Sequence, residues 1–72
     1  MHVTFDPEAN AAYVYLDRPD QDGRSIENVV VERKGKGDVV LDFDSNGFLM
    51  GVGIIGAAEL LSQSVRATAE QI

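Results

Sequence analysis

The stretch Val39-Val40-Leu41-Asp42-Phe43-Asp44-Ser45-Asn46-Gly47-Phe48-Leu49-Met50-Gly51-Val52-Gly53-Ile54-Ile55 decides the fold. It is the longest apolar segment of the chain, and polar turn residues interrupt it at its centre. Asn46-Gly47 is a strong hairpin signal, because both residues tolerate the positive φ of a type I′ turn. With those two as the loop, Phe43 faces Met50, Leu41 faces Val52 and Val39 faces Ile54. All six are apolar and share one face. Asp44, Asp42 and Val40 then stand opposite Leu49, Gly51 and Gly53 on the other face. A three-residue loop shifts this pairing by one and sets Leu41 and Val39 against glycines, and such a slip turns an apolar set away from its partner. A four-residue loop keeps the phase and stays open.

Working outward, His2-Val3-Thr4-Phe5 alternates as a first strand. Asp6-Pro7-Glu8-Ala9-Asn10 reads as a turn, with proline fixing φ and Asp6 able to bond the backbone ahead. Ala11 to Asp17 is a second strand, with Ala12, Val14 and Leu16 on one side and Tyr13 and Tyr15 on the other. The polar run Asp17 to Arg24 is a loop. Ser25 to Glu32 is a third strand, because Val29-Val30-Val31 is too β-branched to favour a helix. Arg33 to Gly37 is a basic connection; four of the six cations lie between Arg24 and Lys36. After Gly56, the segment Ala57 to Ile72 has no breaker and many helix formers. Ala57, Leu61, Val65, Thr68 or Ala69, and Ile72 form its stripe. The stripe thins after Val65, so in isolation the tail would fray, and whether it is ordered in the fold stays open.

The fold expected is α+β in a single domain over 1–72: a small antiparallel β-meander of about five strands with a C-terminal α-helix. The strands fall near 2–5, 11–17, 25–32, 38–44 and 48–55, and the helix starts near 57.

The order Phe5-Asp6-Pro7-Glu8-Ala9-Asn10-Ala11-Ala12-Tyr13-Val14-Tyr15-Leu16, then Val40-Leu41-Asp42-Phe43-Asp44-Ser45-Asn46-Gly47, then Leu49-Met50-Gly51-Val52-Gly53-Ile54-Ile55 resembles the small bacterial proteins of domain-of-unknown-function family 2283. The resemblance covers most of Val3 to Leu61. It implies a small antiparallel sheet with a short C-terminal helix, and it carries over no catalytic residue. Two positions depart from the family pattern. Gly53 stands where Glu is usual, and Gly56 stands where a capping Asp is common. Gly for Asp at a cap costs a few tenths of a kcal/mol.

Composition bounds the function. A chain of 72 residues buries only about 60% of its unfolded surface, so its own core is thin. Without cysteine it has no disulfides or thiolate metal sites, which leaves association with a partner as the natural supplement. Absence of cysteine fits the cytoplasm. No stretch reaches the ~20 apolar residues of a membrane span. Asp6 and Glu8 stand where a signal peptide is cationic and then apolar. The formal charge of −6 repels phosphate backbones, so neither nucleic acid nor membrane is an expected partner.

Candidate chemistry is sparse. Asp42-Phe43-Asp44-Ser45-Asn46-Gly47 matches the first half of a calcium loop, which makes Asp42, Asp44 and Asn46 the metal candidates. The bidentate Glu of that motif falls on Gly53, so a polar hairpin turn is the preferred reading. Asp42 and Asp44 two residues apart could act as an acid–base pair only in a cleft that splits their pKa values. His2 is the only histidine, which excludes a multi-histidine site. No catalytic residue and no cofactor is expected. Gly51 and Gly53 mark a bulge, or a place where a side chain such as Tyr13 lies against backbone.

The outward apolar residues carry the main functional expectation. Tyr13, Tyr15, Val40, Leu49 and Ile55 form a second apolar face, and one helix covers one face only. Tyr13, Tyr15, Leu49, Ile55 and Val65 are the expected interface residues of a non-catalytic interaction module that forms a homodimer. The alternatives are an antitoxin-like protein that neutralises a basic protein partner, and a small-ligand binder or enzyme.

Overall fold

The computed structural model describes residues 2–16 and 27–72. The expected loop from Asp17 to Arg24, the end of the second strand at Asp17 and the start of the third at Ser25 lie outside the described residues. In chain order the elements are β1 (His2–Asp6), β2 (Ala11–Tyr15), β3 (Glu27–Arg33), β4 (Gly37–Phe43), β5 (Leu49–Ile55), α1 (Ala57–Leu60), α2 (Gln63–Thr68) and β6 (Glu70–Gln71). The strands form one sheet in the order β3-β4-β5-β2-β1-β6. All neighbours are antiparallel except β1 and β6, which run parallel.

The α+β class holds at this level, but the arrangement is not a five-stranded meander. β3, β4 and β5 form a meander and β1–β2 a hairpin; β5 then seats itself beside β2. The pairing has a plain cause. β5 offers Ile54 to Ala12 and Val52 to Val14, and an apolar strand is best used with neighbours on both sides.

The central hairpin keeps the expected phase by an unexpected route. Val39 pairs Ile54 and Leu41 pairs Val52, but Phe43 pairs Leu49 rather than Met50. The loop has three residues. Gly47 N–H donates to the Asp44 carbonyl at 3.0 Å, and Asp44 N–H donates to the Phe48 carbonyl at 2.9 Å. Only Gly47 of the pair has positive φ, at 84°, so the type I′ turn is replaced by a turn with glycine at its left-handed end. Such a loop moves the register by one. A bulge at Met50, between the Asp42–Gly51 and Phe43–Leu49 pairs, moves it back.

Cross-strand pairs share a face. Phe5, Ala12, Val39, Val52 and Ile54 therefore lie on one side, and α1 closes over them. Ala12, Ile54 and Ala57 are the buried apolar residues among those described, with Leu60 and Leu61 packed against them. The helical segment is not continuous: Leu61 and Ser62 interrupt it, with Ser62 capping α2 by accepting Val65 N–H at 3.3 Å. In the fold the tail is held against the sheet. It returns as β6, and Ile72 N–H donates to the Phe5 carbonyl at 3.0 Å.

The first turn of α1 is capped from a distance. Gly56 at its start supplies no side-chain cap. Asn10, in the β1–β2 turn at φ 53°, takes over. Its carbonyl accepts from Gly56 and Ala57, both at 3.0 Å. Its side-chain oxygen accepts from Ala58 at 2.8 Å, and its amide donates to Glu59 at 2.8 Å. Those N–H groups are the orphans that any helix start must satisfy.

Candidate functional site

No described element covers the face opposite α1. Register places on it Tyr13 and Tyr15 from β2, Gly51, Gly53 and Ile55 from β5, Asp38, Val40 and Asp42 from β4, and Val30 from β3. Thr4, Tyr13, Tyr15, Val40, Asp42 and Ile55 help line a shallow depression there of about 430 Å³.

Tyr13 organises this face. It starts on β2, crosses the glycines of β5, and donates to Asp42 Oδ2 on β4 at 2.5 Å. The crossing needs the missing side chain of Gly51, and Gly53 lies beside it without being required. A Cβ on Gly51 would lie 2.5 Å from Tyr13 Cε1, and one on Gly53 would lie 3.7 Å from its Cδ2. The expectation that Tyr13 lies against backbone here is met. Asn28 of β3 donates to the other oxygen of Asp42. One carboxylate thus ties β2, β4 and β3 together. The Tyr13 and Tyr15 rings stand 4.6 Å apart, and His2 flanks Tyr15 at 5.8 Å while pairing with Glu70 at 2.7 Å.

Burial raises the Tyr13 phenol above its usual value, and the bond to Asp42 and the charges of Asp42 and Tyr15 push the same way. A phenol held protonated donates a hydrogen bond well and serves poorly as a base at neutral pH. The triad clamps the sheet; it does not present an activated group.

The expected interface residues separate. Tyr13, Tyr15 and Ile55 share the open face. Leu49 does not: the Met50 bulge pairs it with Phe43 and carries it to the other side. Val65 is exposed on α2 and belongs to none of the strands that form this face. The metal candidates also separate. Asp42 is occupied by Tyr13 and Asn28. Asp44 lies past the end of β4, where its Oδ1 accepts from Asn46 and Phe48, both at 2.9 Å. Asn46 stands in the same exposed turn. Among the described residues no group of three or more His, Cys, Asp or Glu converges.

Two organising residues escape the sequence reading, Asn10 and Asn28. Asn10 has a faint signal, since Asn is one of the few side chains at ease in the left-handed region and at caps. Asn28 has none, because its partner comes from another strand.

A family model described as protein of unknown function (DUF2283) matches residues 2–57. No curated protein and no solved structure matches the chain. Among the described residues no helix is long and apolar enough to cross a membrane.

Proposed function

The chain belongs to DUF2283, a family whose description assigns no activity, and we propose that it is a non-catalytic interaction module that self-associates in the cytoplasm. One observation carries the reading: among the described residues nothing covers the sheet face opposite α1, and nothing pairs the outer edge of β3. Val30 is 59% exposed and Ile55 53% exposed, and contiguous apolar surface of this kind marks interfaces. Sedimentation velocity across the micromolar range tests the proposal. A concentration-dependent dimer is the expected result, and a monomer at high micromolar concentration overturns it.

A second reading rests on charge. The open face carries Asp6, Glu32, Asp38, Asp42 and Glu70, and the register leaves no Lys or Arg of the described strands on it. An apolar centre with an acidic rim suits a basic protein partner and steers it in. Two such faces would repel each other if stacked, so a second copy meets the sheet at its β3 edge and this face is left to the basic partner. Titration with a small basic protein, followed by amide shifts, should perturb Tyr13, Val40 and Ile55. Shifts spread evenly over the acidic surface would refute the reading.

A further inference from the structure

We propose that self-association runs through the outer edge of β3, which no described strand pairs, in a twofold antiparallel pairing centred on Val30. This rests on the self-association proposed above and names its geometry. Among the described residues β3 ends the sheet, and all seven of its residues are exposed. Its other edge pairs β4 in an unbroken register from Glu27–Phe43 to Arg33–Gly37. Edge strands usually carry a guard against pairing: a proline, a bulge, a lysine in mid-strand, or very short length. β3 has none. Its middle is Val29-Val30-Val31, and its charges stand only toward the ends.

The occupant follows from those charges. A twofold axis perpendicular to the sheet sets a residue against its own copy, and Val30 is the centre that uses the full strand. Val29 of one copy then faces Val31 of the other. Asn28 faces Glu32, and Glu27 faces Arg33 at both ends. Opposite charges meet twice, and among the described residues neither Glu27 nor Arg33 is in an ion pair within its own chain. Centring on Val29 sets Glu27 against Val31 and leaves Arg33 beyond the ladder. Centring on Val31 sets Glu32 against Val30 and Arg33 against Val29. Both shorten the pairing and put charges against valines. The sequence of β3 is therefore complementary to itself in one register. Residues on one face stay on one face across the axis, so the result is a closed twelve-stranded sheet with both helical layers on the same side. The acidic face is left open for a different partner.

The test is a charge swap on the intact chain, at positions exposed in the monomer. Arg33→Glu sets two like-charge pairs in place of two attractive ones and should weaken the dimer about tenfold or more. Glu27→Arg should do the same. The double variant Glu27→Arg/Arg33→Glu should restore the dimer to within about threefold, since cross-strand pairing depends on both partners. Lys34→Glu makes the same change in net charge as Arg33→Glu, but outside the strand, and should leave the dimer unaltered. Far-UV circular dichroism checks that each variant is folded. If the wild-type chain dimerises and Arg33→Glu leaves it unchanged, the edge pairing is wrong and self-association stands by another surface. If both single variants weaken the dimer and the swap does not restore it, the register is wrong. A monomeric wild-type chain overturns both proposals together.

Discussion

Gly51 and Gly53 stand two residues apart on β5 and face the same aromatic ring, yet alanine should affect them oppositely. At Gly51 the new Cβ would lie 2.5 Å from Tyr13 Cε1, 2.7 Å from its hydroxyl and 2.7 Å from the Val14 carbonyl oxygen. Carbon atoms settle near 3.5–4.0 Å, so something must move by about 1 Å. The ring is held at its tip by Asp42 at 2.5 Å and flanked by Tyr15 at 4.6 Å. If it swings away, the bond to a charged acceptor is lost, about 1.5–3 kcal/mol. The contact between the rings goes with it, about 0.5–1.5 kcal/mol. Alanine stiffens the unfolded chain and returns about 0.4–1 kcal/mol. The net loss is about 2–3 kcal/mol, the range expected of an overpacked site.

At Gly53 the nearest atoms are Val40 Cβ at 3.6 Å and Tyr13 Cδ2 at 3.7 Å. These are ordinary contacts, so Gly53→Ala should leave stability unchanged or raise it by up to about 1 kcal/mol. Urea unfolding followed by far-UV circular dichroism, at one fixed protein concentration, measures both variants against the wild-type chain. Concentration must be held because association itself adds to apparent stability. Equal midpoints for the two variants, or a less stable Gly53→Ala, would show that Tyr13 does not occupy the lane over β5, and the account of the open face would fail.

Three further outcomes are expected. Asn10→Ala removes the remote cap of α1 and places alanine at φ 53°, and should cost about 1–2 kcal/mol in the same urea assay. Gly56→Asp, which installs the residue common in the family, should destabilise rather than stabilise: φ is 92° and a Cβ would lie 2.4 Å from the Lys36 carbonyl oxygen. The raised Tyr13 pKa means that the folded state holds its proton more tightly than the unfolded chain, where the value is near 10. Its contribution is complete below pH 10 and falls away as pH rises beyond it. Thermal midpoints measured between pH 8 and 12 should therefore drop less steeply in Tyr13→Phe than in the wild-type chain. Parallel slopes would assign the alkaline loss to other groups.

The sheet was legible because its signals are short-range and repeated. The alternation in Val39 to Ile55 specifies which side chains share a layer, and the layer then forces the register. The loop shows how strong that constraint is. The three-residue turn alone would have set Leu41 and Val39 against glycines, and Met50 absorbs the offset so that they meet Val52 and Ile54. A rule that reads turn type first and register second is therefore less dependable than one that asks which register buries the valines. Tyr13 was legible for a related reason: two glycines in a strand interior call for a neighbour that needs their space. Its acceptor was not, because Asp42 and Asn28 reach it only once β2 and β3 take places on either side of the β4–β5 hairpin, and strand order is not local information. The displacement of Leu49 follows from the same bulge, which sequence spacing alone cannot locate.

The C-terminal segment is where local preference lost to packing. Sixteen residues without glycine or proline favour one helix, but an isolated helix of that length is marginal, and it persists only where a face is buried. A straight helix from Ala57 would have carried its second half past the core, since the apolar stripe thins after Val65. Breaking at Ser62 costs a few helical bonds, one of which the serine hydroxyl replaces at Val65 N–H. The break lets Leu60 and Leu61, adjacent in sequence, both pack against Ala12, Ile54 and Ala57. It also turns the chain back along β1, where Ile72 N–H finds the Phe5 carbonyl at 3.0 Å and the sheet gains an edge strand. Part of the β1 edge is thereby paired, and the longer edge that no described strand pairs is β3, the one whose charges complement its own copy.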